Sequence, residues 1–171
     1  MTTLTTDRLI LTPAGLSDYA DLCVQFGNDA FTRHIFPAPL TPEEVWFRLL
    51  RDIGHWEALG HGNWVVRLRE GGDHVGLIGV LDYHRALVPP FDAPELGWGV
   101  VPRFEGQGFA FEAVSAAVAW CDDALNAPRT VCMIAPENAR SLALAARAGY
   151  RPYGEGVYKG ETNVLLERRA A

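Results

Sequence analysis

Between Thr41 and Tyr83 the spacing of apolar residues changes from helical to alternating, and that switch confines the chain to folds that pack helices on a sheet. Thr41 can cap a helix, Pro42 fits the first helical position, and Glu44 stands three residues on as the return arm of a capping box. Val45, Trp46, Leu49, Leu50, Ile53 and Trp56 then recur at helical spacing, which predicts an amphipathic helix to about Leu59. Trp64, Val66 and Leu68 alternate with Val65, Arg67 and Arg69, which predicts a strand with one face inward. Gly71-Gly72-Asp73 is a hairpin turn, and residues 74–83, apolar on both faces, predict a central strand.

The flanks extend the pattern. Residues 9–13 predict a first strand, 17–26 a helix, and 27–40, with two glycine or asparagine and two proline positions, a loop or broken helix. After a proline-containing loop at 86–94, residues 95–101 predict a fourth strand and 106–124 an alanine-rich helix. Residues 131–135 predict a strand, 138–148 a helix, and the stretch from Gly149 through Val164-Leu165-Leu166 two closing strands. This order gives an α+β (mixed α/β) sheet, and residues 1–171, with no linker or internal repeat, are expected to form a single domain. Hydrophobic residues make up 49% of the chain, enough to build a core. Fifteen basic against twenty-one acidic side chains, a net charge of −6, argue against nucleic-acid binding by phosphate neutralisation. Three widely spaced cysteines form no C-x-x-C pair, so reduced thiols in a cytoplasmic protein are expected. The N-terminus lacks the basic-then-apolar order of a signal peptide, and the longest apolar stretch, residues 113–121, falls well short of a membrane span. His34, His55, His61 and His74 show no ligand spacing, so no metal is expected.

Residues 100–113, VVPRFEGQGFAFEA, stand between a predicted strand and a predicted helix. Small residues at 106, 108 and 110 let the backbone approach a ligand, and the free N–H groups of the following helix favour an anion such as a diphosphate. A P-loop would need a lysine that is missing, and a dinucleotide-binding fingerprint would need a small residue at Phe111. A diphosphate loop of the acyl-coenzyme A type and a plain tight turn both remain open on this segment alone.

The wider pattern is more specific. P-x-F-x-G-x-G-F-A-x-E-A at 102–113, E-N-x-x-S at 137–141 and A-G-Y at 148–150 together resemble the GNAT superfamily of acyl-CoA-dependent N-acetyltransferases. T-x-R-L-x-L-T-P at 6–13 is similar to the branch holding the ribosomal-protein N-terminal (alanine/serine) acetyltransferases. The resemblance implies a mostly antiparallel sheet splayed between strands 4 and 5, with helices on both faces and the pantetheine arm of acetyl-CoA in the gap. It implies that backbone groups of Val100 and Val101 pair with the pantetheine amides, and that amides of Gly106, Gln107, Gly108, Phe109 and Ala110 hold the diphosphate. Asn138 and Ser141 would lie across the cleft near the sulfur. Glu105 falls where the family often has Gln or Arg. A carboxylate beside a diphosphate is repulsive, so Glu105 is expected to face solvent, with Arg103 supplying positive charge. Position 145, where many members place a tyrosine that protonates the thiolate, is Ala145.

Acetyl transfer to an amine needs a base, a donor for the carbonyl oxygen and a proton or hydrogen bond for the departing thiolate. An α-amine titrates near ~8 and a lysine amine near ~10.4, so the base must strip an ammonium. Glu95 is the expected base, with His84 second; Ser141 is the expected thiolate donor, with Tyr150 and Tyr153 behind it; an N–H at Val100 or Val101 is the expected carbonyl donor. Trp46, Trp56, Trp64 and Trp98 fit either an acceptor pocket or the core, and residues 27–40, with Phe31, Arg33, His34 and Phe36, sit where this fold builds its acceptor wall. The expected activity is direct transfer from acetyl-CoA to a primary amine by a monomer or homodimer, the acceptor being a protein N-terminus or a small amine. A non-catalytic acyl-CoA sensor and a dinucleotide-dependent oxidoreductase are the competing readings.

Overall fold

The computed structural model describes residues 2–170, in which eight strands form one sheet in the order β1-β2-β3-β4-β5-β6-β8-β7. The strands are β1 (Leu4–Thr5), β2 (Leu9–Pro13), β3 (Asn63–Leu68), β4 (His74–Leu81), β5 (Glu95–Val100), β6 (Arg129–Ile134), β7 (Arg151–Tyr158) and β8 (Glu161–Arg169). Between them lie α1 (Tyr19–Phe26), α2 (Asp29–Thr32), α3 (Pro42–Leu59), α4 (Phe109–Asp123) and α5 (Ala139–Arg147). Neighbouring strands run antiparallel except β5 and β6, which run parallel.

The helix start at Thr41 forms as its sequence dictates. The Thr41 hydroxyl accepts from the Glu44 N–H, the Glu44 carboxylate accepts from the Thr41 N–H, and Gly60 ends α3 in the left-handed conformation at φ 73°. On one face of the sheet Trp64, Val66, Ile78 and Leu96 pack with Val114, Ala117 and Cys121 of α4. On the other, Val65 and Leu77 pack under Leu22, Phe26, Val45 and Leu49 of α1 and α3.

Three local readings change. β3 is covered on both faces: Val65 is as buried as Trp64, because α1 and α3 close over the side that alternation assigns to solvent. A two-residue strand, β1, pairs with Leu11 and Ile10 and is too short to leave a periodic signal. Helix α4 begins at Phe109, since Gly106 and Gly108 are left-handed at φ 74° and 83° and keep the preceding turn out of the helix.

One buried polar pair is expected to make the fold acid-sensitive. His74 meets Gln25 through Nε2, its Nδ1 has no partner among the described residues, and burial pushes the imidazole down to about 4. Unfolded histidine takes a proton near ~6.5, so stability is complete above that pH and falls as pH drops from ~6.5 toward 4, by up to about 3 kcal/mol. Melting temperatures between about pH 7 and about pH 5 should therefore fall more steeply for the parent protein than for His74→Asn. Parallel curves would assign the acid sensitivity to carboxylates instead.

Candidate active site

The parallel strands β5 and β6 pair at a single position, at the start of β5. Glu95 pairs with Val131, whose N–H donates to the Pro94 carbonyl at 3.0 Å, and no further residue pairs follow. The other edge of β5 stays paired with β4 as far as Gly76↔Val100. Main-chain groups alternate between the two edges of a strand. With Pro94 directed at β6, the N–H and C=O of Trp98 and Val100 face the gap. Val101 faces the other way: its N–H donates to the Val75 carbonyl at 2.9 Å and its carbonyl accepts from the Phe104 N–H at 2.9 Å. The expected pairing edge is thus Trp98 and Val100, and Val101 has no main-chain group left for it.

At the end of β5 the chain passes into the loop before α4. No acceptor is found among the described residues for the N–H groups of residues 106–111, the first hydrogen bond into the helix being Glu112 N–H to the Gly108 carbonyl at 3.1 Å. The loop is held from behind. Arg8 donates through Nη1 to the Gln107 carbonyl at 3.1 Å and through Nε to Glu112 at 2.7 Å, while its guanidinium lies 4.3 Å from the centre of the Phe109 ring. The Thr6 hydroxyl adds a 2.5 Å bond to Glu112. This clamp fixes the Gln107 peptide, and the N–H groups on the other side are then presented together, as an anion requires.

A cavity of about 230 Å³ opens between β5, β6 and the segment from α1 to Phe36. That is smaller than the ~300–1,000 Å³ of typical small-molecule sites, so it fits reacting ends rather than a whole coenzyme. Phe31 lies on Gly99, where any side chain would collide with its ring, and Phe26, His34, Ile35 and Phe36 continue the wall. Across the cavity stand Cys132, Asn138 and Ser141. Asn138 caps α5 by accepting from the Ser141 N–H at 3.1 Å, which turns that residue's side chain toward the opening; the Ser141 hydroxyl has no protein partner among the described residues. Glu95 is buried at the base. Its Oε2 accepts from Arg85 Nε at 2.5 Å, and no hydrogen bond is found for Oε1 among the described residues. Burial disfavours a charged Arg85, but Glu95 and the Tyr158 hydroxyl, 3.2 Å from Nη1, outweigh it and raise the arginine above its ordinary value.

A family model described as an acetyltransferase (GNAT) domain matches residues 8–151. The chain belongs to the GNAT acetyltransferase family. A solved GNAT-family acetyltransferase from Bordetella pertussis superposes with a TM-score of 0.86 at 31% identity, over 98% of this chain and 99% of that one. The N-acetyltransferase YoaA of Bacillus subtilis (strain 168), itself uncharacterized, is 26% identical over 88% of this chain and 84% of its own. The ribosomal protein uS5-alanine N-acetyltransferase of Escherichia coli (strain K12) is 30% identical over 48% of this chain and 42% of its own.

As a GNAT acetyltransferase the chain uses acetyl-CoA, and its residues suit that molecule. The N–H groups of 106–111 could hold a diphosphate and the open edge of β5 could pair with pantetheine amides, with no lysine needed. Arg103 turns away to Asp73, at 3.1 Å, so the charge expected from it near the loop is spent elsewhere. Glu105 does not simply face solvent: its carboxylate pairs with Arg140 at the start of α5, which draws it off the loop. Three other candidates are corrected. Tyr150 is buried in the core with its hydroxyl 2.7 Å from the Thr130 hydroxyl, and burial pushes it far up, so it does not reach the cavity. Tyr153 is exposed beside Arg129, and His84 is exposed beside Asp82. Ala145 is fully buried against α4 and offers no hydroxyl, whereas Ser141, one turn earlier, lines the cavity. Trp56 and Trp64 belong to the core, Trp46 is on the surface against Tyr19, and Trp98 lines the cavity. Sequence reasoning missed Arg48, Arg85 and Tyr158, which the sheet and α3 bring to the acceptor side. Among the described residues no cluster of three or more His, Cys, Asp or Glu could hold a metal ion, and no helix is long and apolar enough to cross a membrane.

The clamp gives Arg8 a testable role in positioning. Arg8→Ala should raise the KM for acetyl-CoA about 3- to 10-fold, the scale of one lost hydrogen bond to a carbonyl plus one to a carboxylate, with the acceptor KM unmoved. Equal rises in both constants would make Arg8 a structural residue only.

Proposed function

We propose that residues 1–171 form one acyltransferase domain that moves the acetyl group of acetyl-CoA directly onto a primary amine in a ternary complex. The observation that carries the reading is the shared cavity: Trp98 on the open edge of β5, Ser141 and Glu95 all line it, and among the described residues the Ser141 hydroxyl and Glu95 Oε1 have no hydrogen-bond partner. The thioester of the bound donor is already activated, so no covalent enzyme intermediate is needed. Glu95 takes one proton of the acceptor's ammonium through Oε1, directly or through water, and the neutral amine so formed attacks the thioester carbonyl, while Arg85 fixes the carboxylate from the other oxygen. The N–H of Val100 or Trp98 donates to the carbonyl oxygen as negative charge develops on it. As the C–S bond breaks, Ser141 donates a hydrogen bond to the departing sulfur, and the proton shed by the attacking nitrogen ends on the thiolate. Asn138 holds Ser141 in place through the helix cap.

A thiol-release assay over a panel of primary amines tests the reading. Release that depends on the amine, with intersecting lines when both substrates are varied, is the expected result. Parallel lines would contradict direct attack. Tight acetyl-CoA binding without turnover on any amine would turn the protein into a sensor.

A further inference from the structure

The cavity wall carries a half-buried arginine that, among the described residues, forms no ion pair or hydrogen bond. Arg48, on α3, lies 4.7 Å and 5.4 Å from the ring centres of Phe26 and Phe36 and lines the cavity. Among the described residues its Nε is buried with no hydrogen-bond partner and no carboxylate pairs with it. The nearest acid on the helix, Asp52, is fully engaged: it accepts from Arg51 at 2.9 Å, from Asn63 Nδ2 at 2.9 Å and from the Tyr83 hydroxyl at 2.7 Å. Burial accordingly pushes the Arg48 guanidinium below its ordinary value. An N–H withdrawn from water without an acceptor is costly, and a ligand oxygen entering the cavity would satisfy this one.

The surroundings repeat the sign. Arg85 and Lys159 line this cavity and also an adjoining recess of about 360 Å³ that Arg51 borders. Glu95 is the sole carboxylate lining the cavity among the described residues, and one of its oxygens is taken by Arg85.

Resting on the acetyltransferase reading, we propose that the acceptor is an amine that also carries a carboxylate, the carboxylate seated on Arg48 and the amine turned to Glu95. The planar guanidinium fork matches two carboxylate oxygens, and the rings of Phe26 and Phe36 fix its plane. A polyamine would instead bring a second cation among Arg48, Arg85 and Lys159. The carboxylate can come with a free amino acid or with an acidic side chain near the N-terminus of a peptide.

Thiol release would be measured for free amino acids against their carboxamides, for N-terminal peptides with and without an acidic residue in the first positions, and for spermidine. The carboxylate-bearing member of at least one pair is expected to have a kcat/KM about 10- to 100-fold higher, and the pair that shows it identifies the source. Arg48→Met, checked for an unchanged melt and an unchanged KM for acetyl-CoA, should bring the two members within about twofold of each other, and Arg48→Lys should restore part of the gap. Equal rates in the parent protein, spermidine as the best acceptor, or discrimination that survives Arg48→Met would each overturn the inference and leave the acetyltransferase reading standing. No turnover with any amine, while acetyl-CoA binds, would overturn that reading and the inference with it.

Discussion

Gly108→Glu should lower coenzyme affinity by at least about 100-fold in a protein that still folds. Gly108 sits at φ 83°, a conformation that costs an ordinary residue about 1–2 kcal/mol, and an added Cβ would lie 3.4 Å from Arg8 Nη2. Neither effect is large enough to unfold a chain of ordinary stability. The new negative charge matters more than the strain. The carboxylate would grow from the Arg8 side of the loop, compete with the Gln107 carbonyl and Glu112 for the guanidinium that clamps it, and set a negative charge beside the diphosphate. Calorimetric titration with coenzyme A, alongside a thermal melt, reads both quantities. Parental affinity in a folded variant would remove the diphosphate from this loop.

Glu95→Gln should reduce kcat by about 10²- to 10⁴-fold, the usual contribution of a positioned base. The amide keeps the shape and can still accept from Arg85 Nε, so the buried arginine is not orphaned and the fold should hold. What is lost is a site for the proton of the ammonium. The deficit should therefore be largest at low pH, where more of the amine is protonated, and shrink as pH rises toward the pKa of the acceptor, with the KM for acetyl-CoA little changed. A kcat–pH profile parallel to that of the parent protein would take the base role away from Glu95.

Features confined to a few neighbouring residues were readable in the sequence. The Thr41–Glu44 box, Pro42 at the start of α3, and the glycines that bend the chain before α4 act locally, so a linear pattern carries them. Asn138 and Ser141 share one helix turn, which is why their joint placement on the cavity follows from E-N-x-x-S. What failed depended on pairing across the sheet. Val101 and Trp98 cannot be ranked until the Val131–Pro94 bond sets which peptides of β5 face the gap. Tyr150 and Tyr158 look alike in sequence, yet the first is buried against Thr130 on the core side and the second is carried to the cavity on the hairpin of β7 and β8. Arg48 is one of several polar residues on an amphipathic helix, and its lack of a partner shows only when Asp52 is seen bound to Arg51, Asn63 and Tyr83.

Amide hydrogen exchange, residue by residue and with or without saturating coenzyme A, bears most directly on how the fold holds its donor. The N–H groups of Trp98, Val100 and residues 106–111 should become protected on binding, while Val101, already bonded to Val75, should show no comparable gain. Protection confined to other segments, or none at all despite measurable binding, would place the coenzyme elsewhere and contradict the account.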